Sequence, residues 1–195
     1  MLGSALGFLI DVVFGLFTYA LLLRFVMQVL RAPFRNPAGQ AVMALTDWIV
    51  KPLRKILPGF KGIDWASLLA TYLFQVLWLS AYYVVFGKGF SLLGIGAAYL
   101  LAVAALALVK TALWLLIGVV LVQAVLSWVS PYHPVAPFFD ALAKPLLRPV
   151  QKAIPPIGGV DITPVFVLIF LQLLLMLPVT WLEMESARML SRALL

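Results

Sequence analysis

The stretch from Ser91 to Val129 limits what this chain can fold into more than any other feature. It holds 39 residues and a single charge, Lys110. It is one of four apolar regions long enough to cross a bilayer, which takes ~20 residues. The predicted crossings are Leu6–Leu30, Trp65–Phe86, Ala104–Val129 and Thr163–Leu182. Hydrophobic residues make up 65% of the chain and charged ones 11%, with a mean hydropathy of +1.12. A soluble domain has about 45–50% and 25%, so this chain has too little polar surface to cover itself in water. As one helix at ~1.5 Å per residue, 39 residues would reach ~58 Å, against ~30 Å of hydrocarbon. The glycines at 87, 89, 94 and 96 therefore predict a break, with a short interfacial or re-entrant connector helix at 91–103 before the third crossing.

The segments between crossings carry a helical period of their own. In the first, Val42, Leu45, Ile49, Leu53 and Ile56 recur at steps of three and four, opposite Asp47, Lys51, Arg54 and Lys55. In the second, Phe139, Leu142, Leu146, Val150 and Ile154 oppose Asp140, Lys144, Arg148, Gln151 and Lys152. Such amphipathic basic helices lie in the membrane plane. Pro52, Pro145 and Pro149 predict kinks in them.

The two segments also match each other. Residues 46–64 align without gaps on 143–161, placing Lys51-Pro52 on Arg148-Pro149, Lys55 on Lys152, Pro58 on Pro155, Gly62 on Gly159 and Asp64 on Asp161. Asn36-Pro37 falls on His133-Pro134, and Gln75 on Gln172. With a first loop two residues longer, Arg24 falls on Gln123, Gln28 on Ser127 and Asp11 on Lys110. The predicted fold is thus all-α and membrane-embedded, with four transmembrane helices in two parallel repeats, 1–90 and 104–195, joined by the connector at 91–103. The positive-inside rule places both basic segments on the cytoplasmic side of the membrane and both termini on the other. The first crossing lacks the basic leader of a signal peptide and is too long for one.

These residues resemble the YggT family of bacterial membrane proteins. The resemblance rests on Leu-Leu-Leu-Arg24, Asn36-Pro37, the run from Lys51 to Pro58 with Gly62-Ile-Asp64, Ser127-Trp128, the run from Leu146 to Pro149, Pro155, and Gly158-Gly-Val-Asp161. It implies a duplicated integral inner-membrane protein. Members have been tied to osmotic-stress tolerance and potassium handling, and Gram-positive and plastid relatives to cell division, nucleoid distribution and cytochrome assembly. The second copy departs from the pattern: Gln123 replaces the arginine and Gln151 stands where the first copy has Arg54.

Charge and residue type narrow the functional classes. The net charge of +7 sits between apolar runs. Anionic phospholipids are therefore the expected partner of Lys51, Arg54, Lys55, Lys144, Arg148 and Lys152, rather than nucleic acid. A protein or nucleoid partner at that face is the rival reading, and a homo-oligomer is compatible with either. With no cysteine and one histidine, His133, thiolate chemistry is excluded and no metal or cofactor is expected. No nucleophile triad or phosphate loop is present, so a non-enzymatic role is predicted.

The remaining candidates are polar groups in apolar surroundings. Arg24, Gln28, Gln75, Gln123 and Gln172 mark either an intramembrane polar pathway or bonds between helices, with Arg24 snorkelling or paired to Asp64 as the structural alternative. Asp64 and Asp161 are placed to cap the helices they precede, or to form a cation site. Asp11 and Lys110, at equivalent depths, are expected either to pair across the repeat axis or to reach the headgroups separately. The functional expectation is a scaffold or stress-response component presenting a basic platform. A potassium- or cation-handling protein is the alternative.

Overall fold

The computed structural model describes residues 2–60, 62–85, 95–154 and 161–193, which are helical apart from short turns. The elements are α1 (Leu2–Val29), α2 (Pro37–Ile56), α3 (Trp65–Val85), α4 (Ile95–Val129), α5 (Ala136–Ala153), α6 (Thr163–Leu174), a π-helical turn (Leu175–Val179) and α7 (Thr180–Ala193). Among the described residues three helical stretches are long and apolar enough to cross a membrane: Gly3–Val29, Ala97–Val129 and Thr163–Ser186. The expected crossing at Trp65–Phe86 corresponds to α3. It has spanning length at 21 residues.

The expected connector helix is not separate. Residues 91–94 lie outside the described residues, but 95–103 form the first turns of α4, which continues unbroken to Val129. The glycine cluster ends at Gly96, and the alanines at 97, 98, 102, 104, 105 and 107 favour uninterrupted helix. Packing holds these turns in place. Leu100 and Ala104 bury against Leu79 of α3, and the Tyr72 hydroxyl donates to the Leu101 carbonyl at 2.9 Å.

Helices α1, α2 and α3 pack on one another, as do α4, α5 and α6, and α3 and α4 join the two groups. One core cluster reaches across both, with Met27 of α1, Val42 of α2, Val119 and Val120 of α4, Phe138, Leu142, Ala143 and Leu147 of α5, and Val167 and Leu171 of α6. Helices α2 and α5 both continue through their prolines. On α2 the buried face is Gly39, Val42, Thr46 and Val50. This rotates the helix relative to the expected apolar stripe, leaving Leu45, Trp48 and Ile56 outside, the last two 61% and 78% exposed. α2 therefore has three faces: one against the bundle, one apolar and exposed, one charged.

Local chemistry fixes the ends. Asn36 caps α2, its carboxamide oxygen accepting from the Gly39 N–H at 2.9 Å, and Pro37 opens the first turn. Gly39 leaves no room for a side chain, because a Cβ there would lie 2.6 Å from the Phe34 carbonyl oxygen. α5 lacks a side-chain cap, and Val135 donates instead to His133 Nδ1 at 3.4 Å. Near the far end of the chain Pro178 cannot donate to the preceding turn. There the helix widens, and the Thr180 N–H and hydroxyl both reach the Leu175 carbonyl.

α1 ends in a left-handed turn. Arg31 has φ 53°, with Ala32 N–H bonded to Met27 O at 2.8 Å and Arg31 N–H to Gln28 O at 3.2 Å. Glycine is the residue this geometry favours. Arg31→Gly should therefore raise the thermal unfolding midpoint in detergent, with a gain of about 0.5–1 kcal/mol. A lower midpoint would show that the Arg31 side chain outweighs its backbone strain.

Candidate functional site

The polar groups that can act are concentrated where α2 lies across the ends of α1 and α3. Arg24 is 4% exposed, and a buried guanidinium needs a counter-charge. It finds Asp47: Nη1 donates to Asp47 Oδ1 at 2.8 Å and to Thr46 Oγ1 at 2.7 Å. Thr46 in turn donates to the Val42 carbonyl. The second Asp47 oxygen takes Lys51 at 2.8 Å, leading the charge chain out to an exposed ammonium. The Lys51 hydrogen bond, with Arg24 acting alongside and burial opposing, holds the Asp47 carboxyl below its ordinary value.

A second pair completes the staple. Asp64, 1% exposed, receives Arg54 through Nη2 at 2.5 Å and Nε at 3.3 Å, and Arg54 Nη2 also donates to Gln28 Oε1 at 3.1 Å. Asp64 caps α3 as expected, accepting from the Ser67 N–H and hydroxyl. Burial pushes its pKa up, but the bonds from Arg54 and Ser67 win and the net shift is downward. Arg24 does not reach Asp64. Its partner is an acid that the helical period assigned to the solvent face.

The corresponding positions of the second group hold neutral versions. Gln123 Nε2 donates to Asp140 Oδ1 at 3.1 Å, and Gln151 Nε2 to Asp161 Oδ2 at 2.9 Å. Asp161 lies one residue before the N-cap and accepts from the Thr163 N–H at 2.9 Å and from its hydroxyl. Burial raises the Asp161 pKa, and the bonds from Thr163 and Gln151 bring it below the ordinary value. Buried Arg24 Nε and Gln123 Oε1 have no hydrogen-bond partner among the described residues.

The six basic candidates thus divide. Lys51 and Arg54 are tied to Asp47 and Asp64, while Lys55, Lys144, Arg148 and Lys152 are exposed and make no ion pair among the described residues. The five residues of the expected polar pathway do not share one route. Arg24 and Gln28 belong to the staple and Gln123 to the α4–α5 contact. Gln75 lines a recess at the far part of α1, and Gln172 is exposed beside an apolar groove lined by Ile117, Leu121, Leu168, Ile169 and Leu173.

The expected pairing of Asp11 with Lys110 does not form. Asp11 accepts from Trp78 Nε1 at 2.9 Å, and Lys110 pairs with Glu183 at 2.7 Å. The helix runs past Leu182, where the fourth crossing was expected to end, and so carries a carboxylate to Lys110. Glu183, Thr46, Asp140 and Trp78 were not among the candidates. A lone acid just beyond an apolar run was the available signal for Glu183.

These features define a class: helical membrane proteins in which amphipathic basic helices are clamped across one end of an apolar bundle. The chain belongs to the CCB3/YggT family, whose model matches residues 3–84 and 102–182. It is 36% identical over 169 residues to the YggT protein of Escherichia coli K12, covering 86% of each chain. It is 34% identical over 178 residues to a Pseudomonas aeruginosa protein, covering 90% of this chain and 89% of that one. A Vibrio alginolyticus protein encoded in the proC 3′ region is 35% identical over 173 residues, covering 87% and 90%. No solved structure matches.

Two outcomes test the staple. Asp47→Ala strands Arg24 and should cost about 3 kcal/mol; adding Arg24→Leu should recover a large part, read as thermal unfolding in detergent. No recovery would mean the pair is not the source of the loss. The depressed pKa values of Asp47, Asp64 and Asp161 mean that their stabilisation is present above the ordinary carboxylate value of 3.8. It is lost as pH falls through the lower folded values. Unfolding midpoints should hold from neutral pH to that value and fall beneath it, less steeply for Asp64→Asn.

Proposed function

We propose that this chain is a non-enzymatic multi-pass protein of the bacterial inner membrane that presents a basic platform to anionic phospholipids of the cytoplasmic leaflet, as a scaffold or stress-response component. On this reading α1, α3, α4 and the α6–α7 helix are four crossings in two parallel repeats, with both termini on the opposite side. The match of the family model in two segments supports the repeat. So does the placement of Arg54 on Asp64 and Gln151 on Asp161.

The carrying observation is that Lys55, Lys144, Arg148 and Lys152 stay exposed on the two amphipathic helices α2 and α5, with Trp48 and Ile56 exposed beside the first of them. Apolar side chains that enter the lipid boundary next to cations that meet headgroups are what an in-plane helix needs. Each cation adds ~1 kcal/mol near an anionic surface. The staple explains why two basic residues are spent inward: they fix the angle at which the others are displayed.

Phosphatidylglycerol should raise the unfolding midpoint of the purified chain, and phosphatidylcholine should not. Replacing Lys55, Lys144, Arg148 and Lys152 by Gln should remove the difference. An equal rise in parent and variant would overturn the platform. Potassium flux in proteoliposomes abolished by Arg24→Leu would put the cation-handling reading in its place.

A further inference from the structure

A recess of about 270 Å³ opens between α1, α3 and α4, lined by Asp11, Gly15, Thr18, Tyr19, Gln75, Trp78 and Thr111. Its acid, Asp11, lies 13 residues from Arg24 along α1, ~20 Å away, and the recess shares no residue with the staple. Its lining is unusual for three helices as apolar as these. Asp11, Gly15, Thr18 and Tyr19 fall on one face of α1, and Gln75 and Trp78 one turn apart on α3. Gln75 is 7% exposed and Thr18 3%, yet neither side chain makes a hydrogen bond among the described residues. Their polar atoms are not enclosed, unlike Arg24 Nε and Gln123 Oε1, so they open onto the recess and are available to an occupant.

The charge and the walls specify that occupant. Among the described residues that line it Asp11 is the only acid, and Lys110, next in sequence to the lining Thr111, is paired with Glu183. One carboxylate calls for one positive charge. The volume is that of about nine waters, far more than a bare metal ion fills. The neighbours of the carboxylate are aromatic: Trp78, whose Nε1 donates to Asp11, and Tyr19. A carboxylate beside aromatic rings is the chemistry that holds an organic ammonium, the rings meeting its polarised methyl or methylene groups. We propose that this recess binds a small organic ammonium ion, with Asp11 as counter-ion, Trp78 and Tyr19 as aromatic walls and Gln75 and Thr18 as polar contacts. The ammonium can be a free solute or the headgroup of a phospholipid.

Gly15 supplies the control, because a Cβ built there meets nothing within 4 Å. Gly15→Leu should fill the space without disturbing the helices. Tetramethylammonium chloride, titrated calorimetrically into the full chain in phosphatidylglycerol nanodiscs, should bind saturably. Binding should weaken at least about tenfold in Asp11→Asn and vanish in Gly15→Leu, with both variants monodisperse and helical by circular dichroism. The neutral isostere 3,3-dimethylbutanol should not bind. The idea is overturned by an absence of saturable heat from folded protein, by equal binding of potassium or sodium chloride, or by binding that both variants retain. If Asp11→Asn alone fails to fold, retention of binding by Gly15→Leu decides against it. Weaker tetramethylammonium binding in nanodiscs containing phosphatidylethanolamine would identify the headgroup as the natural source; unchanged binding would identify a free solute.

Discussion

Arg24 is a guanidinium buried in a bundle of apolar helices, and the arrangement of the first half follows from the need to neutralise it. A lone buried cation would cost several kcal/mol. Its partner Asp47 stands on a different helix, so satisfying the charge fixes α2 against α1. Arg54 and Asp64 do the same for α2 and the start of α3, with Gln28 tying in α1. Apolar contacts alone would let an amphipathic helix slide or roll on a lipid-facing bundle, since lipid and leucine are nearly equivalent neighbours. Charged hydrogen bonds have direction, and they define one position.

The second half shows what remains when the charge is removed. Gln123 and Gln151 occupy the places of the arginines and still reach carboxylates, Asp140 and Asp161. Their bonds are neutral-to-charged rather than ion pairs. Phe138, Leu142, Ala143 and Leu147 are all buried in the cluster that spans both halves. α2 adds ion pairs to its packing where α5 has amide-to-carboxylate bonds, while the exposed cations on α5 remain uncommitted.

Much of this was legible in the sequence because it depends on local patterns. The apolar runs located the long helices. The period of three and four located α2 and α5, and the Gly-Ile-Asp64 sequence located a cap. The rest depended on rotation about a helix axis and on partners far along the chain. α2 is turned so that Thr46 rather than Leu45 faces the bundle, because the burial of Arg24 against Thr46 and Asp47 outweighs the exposure of one leucine. Lys110 found Glu183 rather than Asp11, since equal depth in a membrane does not imply facing sides. The break expected near residue 103 failed because an apolar helix longer than the bilayer can extend or tilt.

The π-helical turn at Leu175–Val179 also sets the phase of the final helix. Thr163, Val167, Leu171, Leu175 and Val179 are all buried, in steps of four. In a regular α-helix each such step overshoots a full turn by ~40°, so over the 20 residues from Thr163 to Glu183 the stripe would wander ~200° around the axis. The wider turn rotates less per residue and takes part of that drift back. It works as a vernier: one local irregularity, imposed by Pro178, keeps a long four-residue stripe aimed at a single neighbour and delivers Glu183 to Lys110 at its far end.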